Sequence, residues 1–193
     1  MKEPLLYKIV RPIIKVFVRI AFRPKYIGLN NIPTSGRIIL SGNHTNNLDC
    51  ILLISSTKRV IHFLAKDSLI KGIKKIIFNN IGIIPVNRKI HDKGALKKAI
   101  ETLTEDKTIG IFPEGTINRT EDLVLPFKIG SVKMAAETNT RIIPFIITGK
   151  YKIFKNDLTI EFLSPFEVDK EDLTKSNEML MNTISNKLKE KRK

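Results

Sequence analysis

Short apolar runs rich in β-branched residues alternate with segments of helical periodicity along most of this 193-residue chain. That alternation restricts the fold more than any other feature. The runs at 37–41, 59–65, 83–87, 108–112 and 141–148 have the composition of strands covered on both faces. A further run at 158–163 reads as a strand near an edge. Helical patterns fall between them, at 48–56, 67–78, 93–104, 131–137 and 176–189. Within 93–104, Ala95, Leu96, Ala99, Ile100 and Leu103 share one face, and Asp92 stands where a helix cap belongs. The order predicts an α/β fold: a single domain with a mixed, largely parallel central sheet flanked by helices. Neither a repeat nor a long linker interrupts it, and the length suffices for one core. Pro144, inside the run 141–148, predicts a bulge or an edge position.

The net charge of +15 calls for a polyanionic partner, whether nucleic acid, an anionic membrane or phosphorylated substrates. Its distribution discriminates. Residues 1–33 carry Lys2, Lys8, Arg11, Lys15, Arg19, Arg23 and Lys25 against Glu3 alone. From Lys8 to Arg23 the cations recur every three or four residues, the repeat of one helical stripe, on an otherwise apolar helix. The uncharged stretches fall well short of the roughly 20 residues that a spanning helix needs. There is no signal-peptide core or cleavage site. Residues 1–30 therefore read as an amphipathic helical segment lying in the membrane interface, followed by an α/β domain over 31–193. A surface helix packed on the domain is the alternative, but the apolar arc is wider than one packed face requires. Pro12 should kink or split the helix. Nucleic acid fits less well, because there is no tryptophan, only three tyrosines, and no basic cluster interleaved with stacking aromatics. The single cysteine, Cys50, excludes an internal disulfide and sits among apolar neighbours as an inert thiol.

Ligand sites in open α/β sheets lie beyond the carboxyl ends of strands. His44, Arg88 and Glu114 each follow such an end, so three loops could converge on one cleft. His44 and Asp49 stand five positions apart in Ser-Gly-Asn-His-Thr-Asn-Asn-Leu-Asp. On a helix they would lie about 140° apart, and on a strand they would face opposite sides. They meet only if the chain bends, for which Gly42, Asn43, Asn46 and Asn47 are suited. If they meet, Asp49 can orient one ring nitrogen and leave the other as a base. Otherwise His44 is structural and Asp49 serves the start of a helix. Arg88 closes Gly82-Ile-Ile-Pro-Val-Asn-Arg and is either a phosphate fork or a solvated cation. Glu114, in Phe-Pro-Glu-Gly-Thr, is a ligand contact, an acid/base group or a structural anchor. Lys128 could add a cation at the cleft.

Four blocks in this order resemble the glycerolipid acyltransferase family, which includes the 1-acylglycerol-3-phosphate (lysophosphatidate) acyltransferases. The resemblance covers roughly residues 37–149. Its blocks are the His-x4-Asp run, Gly82 to Arg88, Phe-Pro-Glu-Gly-Thr, and Ile142-Ile143-Pro144. It implies that His44 is the general base oriented by Asp49. It also implies that Arg88 holds the glycerol phosphate and that Glu114, Gly115 and Thr116 shape the acceptor site. The family often has arginine directly after Glu-Gly-Thr, where Ile117 stands here, which leaves Arg119 or Lys128 for a second phosphate contact. The implied reaction is acyl transfer from acyl-CoA or acyl carrier protein to the free hydroxyl of 1-acylglycerol 3-phosphate, giving phosphatidate. Glycerol 3-phosphate or another lysolipid is the alternative acceptor. No metal or cofactor is implied. The expected partners are an anionic membrane surface, the lysophospholipid and the acyl donor, with no nucleic acid, on a peripheral protein at the cytoplasmic membrane face. Two other classes compete: a metal-dependent hydrolase on His44, Asp49 and Glu114 with His62 or His91, which lacks His-Glu-x-x-His spacing, and a non-catalytic basic binding module.

Overall fold

The computed structural model describes residues 5–69, 82–87, 90 and 92–192. Among these, seven strands form one sheet: β1 (Lys25–Ile27), β2 (Ile38–Gly42), β3 (Ile61–Lys66), β4 (Ile84–Val86), β5 (Thr108–Ile111), β6 (Ile142–Thr148) and β7 (Thr159–Phe162). The helices are α1 (Leu5–Ala21), α2 (Asp49–Ser56), α3 (Lys93–Thr104), α4 (Gly130–Thr138) and α5 (Leu173–Arg192). The sheet order is β1-β7-β6-β2-β5-β3-β4. The last five strands of that order run parallel, and β7 lies antiparallel to β6 with β1 parallel to it. The sheet is thus mixed and largely parallel, as the strand–helix alternation predicts.

Strand alternation distributes the core over two faces. Ile38 and Leu40 of β2, with Ile143, Phe145 and Ile147 of β6, pack toward α1 and α2. Ile39, Ile109, Ile142 and Ile146 pack on the other face, against α3, α4 and α5. Asp92 caps α3 as expected, its carboxylate accepting from the backbone N–H groups of Ala95 (2.9 Å) and Asn87 (2.8 Å). Those bonds hold its carboxyl below the usual range.

One strand was not expected, the expected irregularity at Pro144 is a bulge rather than an edge, and one expected helix is described only in part. β1, only three residues long, was not anticipated, and it brings part of the basic N-terminal segment into the sheet. Pro144 is buried in β6, an interior strand, and the irregularity falls on its neighbour. Phe145 pairs with Phe162 but Ile142 pairs with Phe166, so one extra residue of the segment running on from β7 is accommodated beside Pro144. The missing proline N–H therefore faces the bulge, where no ladder bond is required. Of the helix expected over 67–78, Asp67–Leu69 is a single 3₁₀ turn and 70–78 lies outside the described residues.

Pro12 does not split α1, which runs unbroken from Leu5 to Ala21. The ring sits on the exposed side, and tertiary bonds hold the helix around it. The Tyr7 hydroxyl accepts from Ile61 N–H (3.1 Å), and Arg11 Nε donates to the Thr57 carbonyl (2.7 Å). Arg11 thus leaves the basic stripe and faces the domain. Tyr7, Val18 and Ala21 form the buried side of α1. Ile9, Ile13, Val16, Phe17 and Ile20 form a second apolar arc, exposed, about 100° wide at 3.6 residues per turn. No helix among the described residues is long and apolar enough to cross a membrane.

Candidate active site

Parallel pairing places the loops after β2, β5 and β6 side by side, because β2 lies between β5 and β6. The bend that brings His44 to Asp49 is built from backbone donors gathered around one carboxylate. Asp49 is fully buried in the first turn of α2. Its Oδ2 accepts from the N–H of Thr45 (2.6 Å) and of Asn46 (2.8 Å), and from His44 Nδ1 (2.9 Å). Its Oδ1 accepts from Thr45 Oγ1 (3.2 Å) and from the Tyr151 hydroxyl (2.6 Å). The chain therefore wraps around the carboxylate, and an anion at the start of α2 also suits the helix dipole. Asn46 closes the turn, its Oδ1 accepting from Leu48 N–H at 3.0 Å.

The other bend-forming residues have different roles. Asn43 is buried, and its amide donates to the Ile147 carbonyl (2.9 Å) and accepts from Ile147 N–H (2.7 Å). A side chain thus continues the β2–β6 ladder one residue beyond the strand. Gly42 belongs to β2 itself and does not bend the chain. A Cβ there would lie 2.4 Å from the Phe145 carbonyl oxygen, so glycine is required by close approach.

An ionised carboxylate only accepts, so His44 Nδ1 carries the proton and Nε2 presents its lone pair. No described residue donates to Nε2. The imidazole stacks on Phe112 with centroids 4.1 Å apart and planes 14° apart. Phe112 is held in turn by Phe63 and Phe145. The ring is fixed by one hydrogen bond and one aromatic face, with 14 % of the side chain left exposed.

Glu114 is brought to this pair as an anchor. Its Oε1 accepts from His44 N–H (2.7 Å) and its Oε2 from Leu125 N–H (2.8 Å). Burial pushes the carboxyl above the usual glutamate range, against the opposing effect of those two donors. Asn118 N–H donates to the His44 carbonyl at 2.8 Å, so both backbone groups of His44 are held by the loop after β5. Gly115 has φ of 70°, and a Cβ there would meet the Lys128 side chain at 2.9 Å. That contact places Lys128 against the same turn. Thr116, Arg119 and Lys128 are exposed. Arg88 and His91 lie outside the described residues. His62 is buried in β3, with Nδ1 3.0 Å from the Gly82 carbonyl. Among the described residues no group of three or more His, Cys, Asp or Glu side chains is arranged to hold a metal ion. A cavity of about 260 Å³ adjoins the site, bordered by His44, Glu114, Asn118, Thr148 and the end of α5 at Lys191 and Arg192.

Tyr151 was not anticipated from sequence. It lies 102 positions from Asp49, and no spacing rule joins them. Its ring packs edge-to-face on Phe22 (5.4 Å), which meets Phe17 of α1 in the same way (5.9 Å). Burial, and then the Asp49 charge, push its hydroxyl far above the normal tyrosine range, so it remains a donor. The same two causes push the half-buried Cys50 thiol up to about 12, and it stays protonated.

The arrangement can remove a proton from a neutral hydroxyl, with the imidazolium that forms stabilised by Asp49. A 1-acyl-sn-glycerol-3-phosphate acyltransferase of Borreliella burgdorferi is 37% identical over 164 residues, 76% of this chain and 65% of that protein. One of Bacillus subtilis is 29% identical over 147 residues, 75% of this chain and 72% of that protein. The chain spans under two thirds of the Borreliella relative and under half of a chloroplastic one from Arabidopsis thaliana, of which it covers 44%. The crystal structure of the 1-acyl-sn-glycerophosphate acyltransferase PlsC from Thermotoga maritima shares the fold, with TM-score 0.74 at 22% identity over 96% of this chain and 81% of that one. The family model described as Acyltransferase matches residues 23–148, which include every strand of the sheet but β7 and the whole His44–Asp49–Glu114 constellation, and the chain belongs to that acyltransferase family.

Proposed function

We propose that the chain transfers an acyl group from acyl-CoA or acyl carrier protein to the free hydroxyl of 1-acylglycerol 3-phosphate, giving phosphatidate. The observation that carries this reading is the His44 Nδ1 to Asp49 Oδ2 contact of 2.9 Å, which leaves Nε2 as the base. The names of the curated relatives support the acceptor. Nε2 removes the hydroxyl proton while the oxygen attacks the thioester carbonyl. The tetrahedral intermediate then collapses, the C–S bond breaks, and the thiolate leaves and takes the proton back from His44. Arg88, with Lys128 or Arg119, holds the acceptor phosphate by charge and bidentate geometry. The exposed arc of α1 lies in the bilayer interface with Lys8, Lys15 and Arg19 among anionic headgroups, holding the enzyme at the cytoplasmic membrane face. The positive surface also suits an acidic acyl donor. The test is His44→Ala assayed with an acyl-CoA and lysophosphatidate, with circular dichroism to establish folding. Acyl transfer should be abolished in a folded protein, and near-normal turnover would remove His44 as the base.

A further inference from the structure

The chain after β6 forms a small closed loop over residues 149–157. A Cβ on Gly149 would lie 1.8 Å from the Asp157 carbonyl oxygen, so the two ends of the loop touch, as in an Ω-loop. Tyr151 turns inward to Asp49. Ile153 and Phe154 instead face solvent, 65 % and 62 % exposed, at the tip of a loop where polar residues are the rule. Phe154 is also held at φ of 60°, a region costly for a bulky residue. The fold keeps it there by donating the Phe154 N–H to the carbonyl of Ala21, the last residue of α1, at 2.6 Å. The tip therefore adjoins the end of the exposed apolar arc at Phe17 and Ile20. Lys150, Lys152 and Lys155 surround it, all exposed, with Lys152 also 3.8 Å from Asp157.

We propose that the 149–157 loop is a second bilayer-inserting element, seating Ile153 and Phe154 in the interfacial hydrocarbon beside α1 with its lysines among anionic headgroups. This rests on the membrane placement of α1 given above and extends it to a second part of the chain. Two features favour a bilayer as the occupant. An apolar tip ringed by cations complements a surface whose anionic heads overlie hydrocarbon. A two-residue tip also presents far less than the roughly 800 Å² per partner of a stable protein interface.

The chain contains no tryptophan, so Phe154→Trp and, separately, Ile13→Trp each create a single fluorescent reporter. The probe is vesicles of phosphatidylcholine and phosphatidylglycerol with brominated acyl chains. Blue-shifted, quenched emission from both positions supports the loop as an inserting element. Quenching at Ile13→Trp alone overturns the loop proposal and leaves α1 in the membrane. No quenching at either position overturns both placements. Emission that shifts with protein concentration in the absence of vesicles assigns the tip to a second copy of the chain and overturns the proposal. The paired substitution Ile153→Asp with Phe154→Asp, on exposed positions, should weaken vesicle binding about tenfold or more, and unchanged binding overturns the proposal. Quenching at both positions in a protein that shows no acyl transfer would support the loop and remove the enzymatic reading alone.

Discussion

Tyr151→Phe deletes one oxygen from the candidate active site and nothing else. The ring keeps its edge-to-face contact with Phe22 at 5.4 Å, so packing is preserved. The bond removed is short, 2.6 Å, and ends on a fully buried carboxylate. Without it, Asp49 Oδ1 retains, among the described residues, Thr45 Oγ1 at 3.2 Å. Hydrogen bonds to charged groups contribute about 1.5–3 kcal/mol. At a urea m-value of about 2 kcal/mol per molar, a loss of about 2 kcal/mol lowers the unfolding midpoint by about 1 M. The catalytic consequence is separable. The His44 contact is on the other carboxylate oxygen, so the variant should fold and bind acceptor while the carboxylate loses a constraint on its orientation. A fall in kcat of about tenfold, equivalent to about 1.4 kcal/mol, with KM unchanged is the expected result. Urea denaturation followed by circular dichroism, and steady-state acyl transfer, provide the two readouts. An unfolding midpoint and kcat both equal to wild type would show that the hydroxyl neither stabilises Asp49 nor positions it.

Two other substitutions test the supports of His44. Glu114→Gln replaces one acceptor oxygen with a donor, so one backbone N–H, of His44 or Leu125, loses its partner at a cost of about 1–3 kcal/mol. The sign of its pH dependence follows from the raised carboxyl. A folded-state value above the unfolded one contributes stability that is present at acid pH and lost as pH rises through the folded value. The stability gap between wild type and variant should therefore narrow from acid to neutral pH in thermal melts, and a widening gap would contradict the burial argument. Gly42→Ala inserts a methyl where the Phe145 carbonyl oxygen is 2.4 Å away, and forcing β2 from β6 should cost about 1–3 kcal/mol or more. An unchanged melting temperature would show that the two strands can separate freely at that point.

The sheet was legible where its strands lie within apolar, largely β-branched runs. Five of the predicted runs coincide with β2 to β6 to within two residues, and the sixth with β7. β1 escaped because Lys25 to Ile27 lie in no apolar run and keep both ends exposed, and their pairing with β7 is a long-range event. The His44–Asp49 contact could be anticipated only as a condition on a bend. The residues named for the bend divided in an unforeseen way: Asn46 turns the chain, while Asn43 extends a strand and Gly42 admits Phe145. Glu114 was left with three possible roles, because sequence shows a carboxylate at a loop mouth but not the two amides that occupy it. Tyr151 had no signal at all, since its partner is reached only by folding.

The aromatic series from Phe17 through Phe22 to Tyr151, ending on the carboxylate that holds His44, behaves as a strut. Close-packed rings at fixed angles do not shorten. Whatever surface the outer arc of α1 rests upon, the imidazole therefore stands at a set height above it. Under the proposed reaction an acceptor hydroxyl must rise or sink to that level to meet His44, since the ring is held where it stands. On that proposal α1 acts as a depth gauge, its length and tilt setting which oxygen along a lipid acceptor comes within range.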